Sequence, residues 1–161
     1  MTYMDGYEIQ IFLHITIAII AFGVTFALPF LQAWSEKRGV GATRMALEFS
    51  QHLEKIVIVP GSVLVALVGI GLIFDDRTGY KDDFPGWLIA AIAWFLAAMV
   101  VGAVVQRKNV EAAVDSLVGV AETATLPTAY LAVANRMKLT GAFLGLSVIG
   151  VTLLMVWKPG Q

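Results

Sequence analysis

Polar residues punctuate this chain instead of alternating through it. Residues 11–31 read IFLHITIAIIAFGVTFALPFL, without a Lys, Arg, Asp or Glu. Three further charge-free runs follow at 56–74, 87–105 and 139–157. About 20 apolar residues, each rising about 1.5 Å along a helix, match a hydrocarbon core about 30 Å thick. A spanning segment must satisfy its own backbone hydrogen bonds, which for isolated runs means helices. The pattern therefore predicts an all-α membrane protein: one four-transmembrane-helix bundle over residues 1–161, with spans at about 8–35, 44–75, 84–108 and 127–158.

The polar edges of the runs refine this picture. Arg44, Glu48, His52 and Lys55 recur at helical spacing and predict that the second helix begins well before its apolar run, with Glu54 off that stripe. Pro60-Gly61 then predicts a bend, because proline cannot donate to the carbonyl four residues back and its ring crowds that turn. Over 109–122, apolar Val110, Ala113, Val114, Leu117, Val118 and Ala121 fall on one helical face. This amphipathic segment either lies at the membrane surface or continues the third helix. Gly141-x-x-x-Gly145 offers a small-residue face for close helix packing.

Composition agrees. The chain is 58% hydrophobic and 14% charged, against about 25% charged for an ordinary soluble domain. The net charge of −1 says nothing about nucleic acid, and no basic patch is dense enough to suggest it, so no nucleic-acid partner is expected. There is no Cys for a disulfide, thiolate site or nucleophile. The N-terminus lacks the basic start and cleavage site of a signal peptide, so the first run reads as a retained helix. Lys37, Arg38, Arg44, Arg107, Lys108, Arg136 and Lys138 flank the first and third loops. Only Arg77, Lys81 and Lys158 lie on the other side. By the positive-inside rule both termini are outside, N-out/C-out, in a bacterial-type plasma (inner) membrane.

Candidate chemistry is sparse. His14 is the one ionisable side chain within a charge-free run, and its imidazole suits haem iron, proton transfer or a structural hydrogen bond. It is expected to face the bundle interior, beside a groove of small residues at Ala18, Ala21 and Thr25. Phe12, Ile19 and Phe26 would then face lipid. His14 and His52 differ in depth by about 20–25 Å at helical rise, so they cannot share one iron within a subunit. Arg44, Glu48, His52 and Lys55, with Glu54, suit a lipid headgroup or a partner's charges, or else a salt-bridged helix end. The Asp residues of loop two lack calcium-loop spacing, and hydrolase and nucleotide motifs are missing. No metal beyond a haem iron at His14 is expected.

The segment His14-Ile15, Phe22-Gly23 and Phe26-Ala27-Leu28-Pro29 resembles the first helix of the four-helix haem proteins of the oxygen-independent protoporphyrinogen oxidase family. It resembles more closely the DUF2269-type predicted integral membrane proteins. The resemblance implies a four-helix fold, Pro29 ending or bending the span, and His14 as a haem ligand. It does not carry the oxidase activity, because Phe30 replaces an arginine and no lysine follows Gly86-Trp87-Leu88.

These residues point away from an enzyme and toward a non-catalytic accessory or scaffolding subunit of a larger transport or respiratory membrane complex. Its partners would be membrane lipids and other transmembrane subunits, or a second copy of itself. The alternative is a haem-binding membrane redox protein using His14. A small ion carrier has least support, because the spans lack acidic residues. The topology has a direct check. Cysteine at Ser35 or Asn109 should react with an impermeant thiol reagent only from the cytoplasm, and cysteine at Thr78 only from outside. Labelling of Thr78 from the cytoplasm would overturn it.

Overall fold

The computed structural model describes residues 4–160. Its framework is α1 (Gly6–Glu36), α2 (Val40–Phe74), α3 (Gly86–Asp115) and α4 (Thr128–Trp157). These are the four helices long and apolar enough to cross a membrane among the described residues, which include no strand. The first and third loops share one end, called here the basic end. The chain termini and the acidic loop share the other, the terminal end.

Local chemistry sets the boundaries. Asp5 caps α1, accepting from the backbone N–H groups of Tyr7 and Glu8, while the Glu8 carboxylate accepts from the Asp5 N–H. The Glu8 N–H, and then Arg77 of the acidic loop, hold the Asp5 carboxyl below its ordinary value. The helix continues through Pro29 to Glu36, so Pro29 does not end it. Gly39, at φ 96°, makes the turn into α2, a conformation few other residues adopt. Pro85 and Pro127 precede α3 and α4, where a missing N–H costs nothing.

The segment 109–122 divides. Its first half continues α3 to Asp115, and its second half is a turn that closes through Gly119 at φ 74°. Ser35 is buried and donates to the Gln32 carbonyl, so exposed Lys37 is the better labelling position at that end.

Two of the helices widen inside. α2 carries a π turn at Glu54–Ile58, where the Val59 N–H reaches back to the Glu54 carbonyl. α3 carries another at Val101–Gln106, where the Arg107 N–H reaches the Gly102 carbonyl. A π turn holds one extra residue in a helical ladder. In α2 it directly precedes Pro60, where a bend is expected, and the structure has a widened turn at that place. Ile58 and Val59 keep right-handed helical backbone throughout.

The helices pair as two antiparallel hairpins. Along α1 and α2, Gln10 meets Gly71, His14 meets Gly69 and Ala21 meets Gly61. Along α3 and α4, Trp94 covers Gly150 and donates to the Ser147 hydroxyl at 3.0 Å, while Asn109 donates to Thr140 at 3.3 Å. Phe26 against Gly145 and the edge-on pair Phe22–Phe95 join the hairpins within the apolar layer.

The main core lies elsewhere. Val40, Leu47, Val110, Ala113, Leu117, Tyr130, Ala134 and Met137 form one buried cluster at the basic end. All eight fall outside the four charge-free runs. Arg44 donates to the carbonyls of Leu117 (2.8 Å) and Val120 (3.2 Å), and so ties the turn after α3 to α2. Glu36 accepts from the Tyr130 hydroxyl at 2.9 Å and from Lys138 at 2.8 Å, tying α1 to α4.

The α1–α2 register rests on small residues. A Cβ added at Gly61 would stand closer to the Ala21 methyl than two carbons can approach. Gly61→Leu is therefore expected to cost about 1–3 kcal/mol of stability in detergent, as over-packing usually does. Ala21→Gly in the same chain should restore part of it. Equal thermal midpoints for wild type and Gly61→Leu would contradict this register.

Candidate functional site

Gln51, Glu54, Lys55 and Val59 of α2, at and around its π turn, face Arg107 and Glu111 of α3 across a cleft of about 220 Å³. Its depth follows from the sequence. Glu54 and Lys55 immediately precede the apolar run of α2, and Arg107 stands just past that of α3. The cleft thus sits where the apolar layer meets the basic end. Arg107 Nε donates to Glu111 Oε1 at 3.0 Å, an i,i+4 pair with both side chains about half exposed (59% and 49%). Glu54 is partly buried and makes no ion pair within 4.0 Å among the described residues. Two carboxylates and two cations balance at neutral pH, which suits an ion carrying both signs of charge.

A second depression lies in the apolar layer on the α1–α2 hairpin. Ile17, Ile20, Ala21, Ile56, Pro60, Gly61 and Leu64 help line an open groove of about 300 Å³. The π turn and the Pro60-Gly61 step leave too little side-chain bulk to fill it.

The predicted site residues fall into separate groups. His14 faces α2, its ring packed on Gly69. Its Nδ1 is buried without a partner among the described residues. Ala21 is buried, and Ala18 and Thr25 are half-buried on the same side of α1. Thr25 donates to the Phe22 carbonyl at 2.6 Å. Phe12 and Ile19 are exposed on the other side, whereas Phe26, expected to face lipid, packs on Gly145 of α4.

The stripe on α2 splits. Arg44 is spent on the Leu117 and Val120 carbonyls, while Glu48, His52 and Lys55 are exposed. Of these, only Lys55 reaches the charged cleft. Gly141 packs near Gln106 of α3, and Gly145 takes Phe26 of α1.

A haem does not fit this arrangement at His14. A Cβ at Gly69 would stand 3.1 Å from His14 Cε1, and Ala21 is in tighter contact with Gly61. The space a porphyrin plane would need is filled by the backbone of α2. His52, exposed and about 25 Å along α2 from Gly69, is no second ligand. Among the described residues no three His, Asp or Glu side chains converge as a metal site.

Sequence reasoning placed Glu54 off the stripe but grouped it with Lys55 as a candidate for a headgroup or a partner's charges, and missed Gln51, Arg107 and Glu111. A usable signal was present. Glu54 and Arg107 are charges bordering apolar runs at the same end of antiparallel helices, so depth alone brings them level. The two π turns were not readable, and each rotates the residues beyond it relative to a regular helix.

A family model described as "Predicted integral membrane protein (DUF2269)" matches residues 9–159. No curated protein and no solved structure matches the chain.

His14 yields a prediction from its packing. Replacing a buried polar group that lacks a partner by an apolar one is close to neutral or stabilising. His14→Leu should therefore yield as much folded protein as wild type, with a thermal midpoint unchanged or raised. Wild-type protein purified from haem-replete cells should show no Soret band. A Soret band that disappears in His14→Leu would overturn this placement.

Proposed function

Because the chain belongs to the DUF2269 family of predicted integral membrane proteins, matched over residues 9–159, we propose a function in assembly. It is a non-catalytic accessory or scaffolding subunit of a larger membrane complex, in a bacterial-type plasma membrane. The observation that carries this reading is the apolar groove at Pro60-Gly61. It lies within the apolar runs of α1 and α2 and is walled by Ile17, Ile20, Ile56 and Leu64, with no charged side chain at its edge. A partner helix gains little from the hydrophobic effect inside lipid, since acyl chains are equally apolar. It gains from close packing into a concave, small-residue surface.

The polar groups of the apolar layer support the same reading. Ser62 donates to the Ile58 carbonyl (2.6 Å), Ser147 to the Phe143 carbonyl (2.8 Å), and Trp94 to Ser147. The two serines are satisfied within their own helices, and Trp94 to Ser147 ties α3 to α4.

A photo-crosslinking residue placed at Ile20 or Leu64 in native membranes tests the reading. Both should yield a protein adduct of defined mass, and the exposed control Leu153 should not. An adduct at twice the chain's mass would identify the partner as a second copy. Adducts with lipid alone at both positions would overturn the proposal.

A further inference from the structure

The charged cleft calls for a ligand different from the apolar groove's. We propose that it binds the headgroup of a membrane phospholipid of the phosphoethanolamine class. Three features lead there. The first is depth: Glu54, Lys55 and Arg107 border the apolar runs of α2 and α3, the level at which headgroups lie. The second is charge. Lys55 and Arg107 suit a phosphate, while Glu54 suits an ammonium with N–H groups to donate. An anionic headgroup would meet Glu54 and Glu111 without compensation. The third is form. The cleft of about 220 Å³ has the bulk of about seven waters, the scale of a phosphoethanolamine group. Exposed Val59 lies on its apolar side, where the acyl chains would leave.

The lining residues have capacity to spare. Among the described hydrogen bonds Arg107 uses only its Nε, on Glu111, which leaves its terminal nitrogens for a phosphate. Glu54 makes no ion pair there, so a lipid ammonium would supply its counter-charge. The π turn of α2 contributes Glu54 and Lys55 to the cleft, and Arg107 stands directly after the π turn of α3.

The test uses the full chain in detergent, with native mass spectrometry of bound dioleoyl lipids offered at equal concentration. Phosphatidylethanolamine should be retained about tenfold over phosphatidylcholine, whose ammonium has no N–H to donate to Glu54; that factor corresponds to one charge-assisted hydrogen bond. Glu54→Gln should abolish the preference, and Arg107→Gln should lower retention of both lipids. Glu48→Gln, on exposed α2 surface, should change nothing. Equal retention of the two lipids by wild type would overturn the proposal, as would a preference for phosphatidylglycerol or an unaltered preference in Glu54→Gln. Soluble phosphoethanolamine displacing the lipid at matched concentration would overturn the lipid as ligand and assign the site to a free metabolite. If Glu54→Gln fails to fold, Val59→Trp at the mouth of the cleft carries the test. Folded Val59→Trp should lose the retained lipid, and undiminished retention would overturn the site.

Discussion

The hydrophobic effect acts only where there is water to escape, and that constraint arranges this molecule. Within the apolar runs a Leu gains nothing by leaving lipid for a neighbouring helix. In the most apolar stretch of each helix no more than 17% of residues are buried. The main cluster of large buried side chains lies past the runs, at the basic end, where Leu47, Leu117, Tyr130 and Met137 are shielded from water by each other, while Trp87 and Leu88 are buried separately at the terminal end. The extensions of α2, α3 and α4 beyond the apolar layer are therefore the bundle's fastener. Arg44 and the Glu36–Tyr130–Lys138 cluster add polar ties at the same end.

Inside the layer, a different kind of contact holds. Most residues buried there are small, Ala21, Gly61, Ser62, Ala91 and Ser147, the larger ones being Val65, Trp87 and Leu88. Small residues let backbones approach and gain dispersion contacts, the main attraction left between helices in lipid. His14 fits this pattern. It is the only ionisable side chain in its run, yet its place is set by the room Gly69 leaves on α2. The same contact that accommodates the imidazole occupies the space a cofactor would need.

The π turns link this packing to both surfaces considered for binding. In α2 the extra residue precedes a proline that cannot donate, and the loosened turn opens the apolar groove on one side and the charged cleft on the other. Residues of one local turn thus line two depressions of opposite character. The apolar one lies within the lipid layer and the charged one at its border, so each meets the chemistry of its own depth.

The number of helices, their antiparallel order and their depth were legible in the sequence, because a hydrocarbon layer imposes a length and a charge-free composition that no tertiary contact can override. Helix ends were nearly as legible, being fixed by Asp5, Gly39, Pro85 and Pro127 through local backbone chemistry. The inward side of α1 could also be read, since a polar His14 among small residues marks a helix interface in lipid. What α1 meets there could not. Whether Ala18, Ala21 and Thr25 border a ligand or another helix depends on the register of α2, which Gly61, Gly69 and Gly71 fix by where they leave space. The fate of 109–122 also waited on tertiary structure, since an amphipathic face suits a membrane surface and a protein core equally well. The stripe of Arg44, Glu48, His52 and Lys55 failed as a unit for a related reason. Sequence spacing presumes one unbroken helical period, and the pairing of Lys55 with Arg107 across the cleft depends on two turns that depart from it.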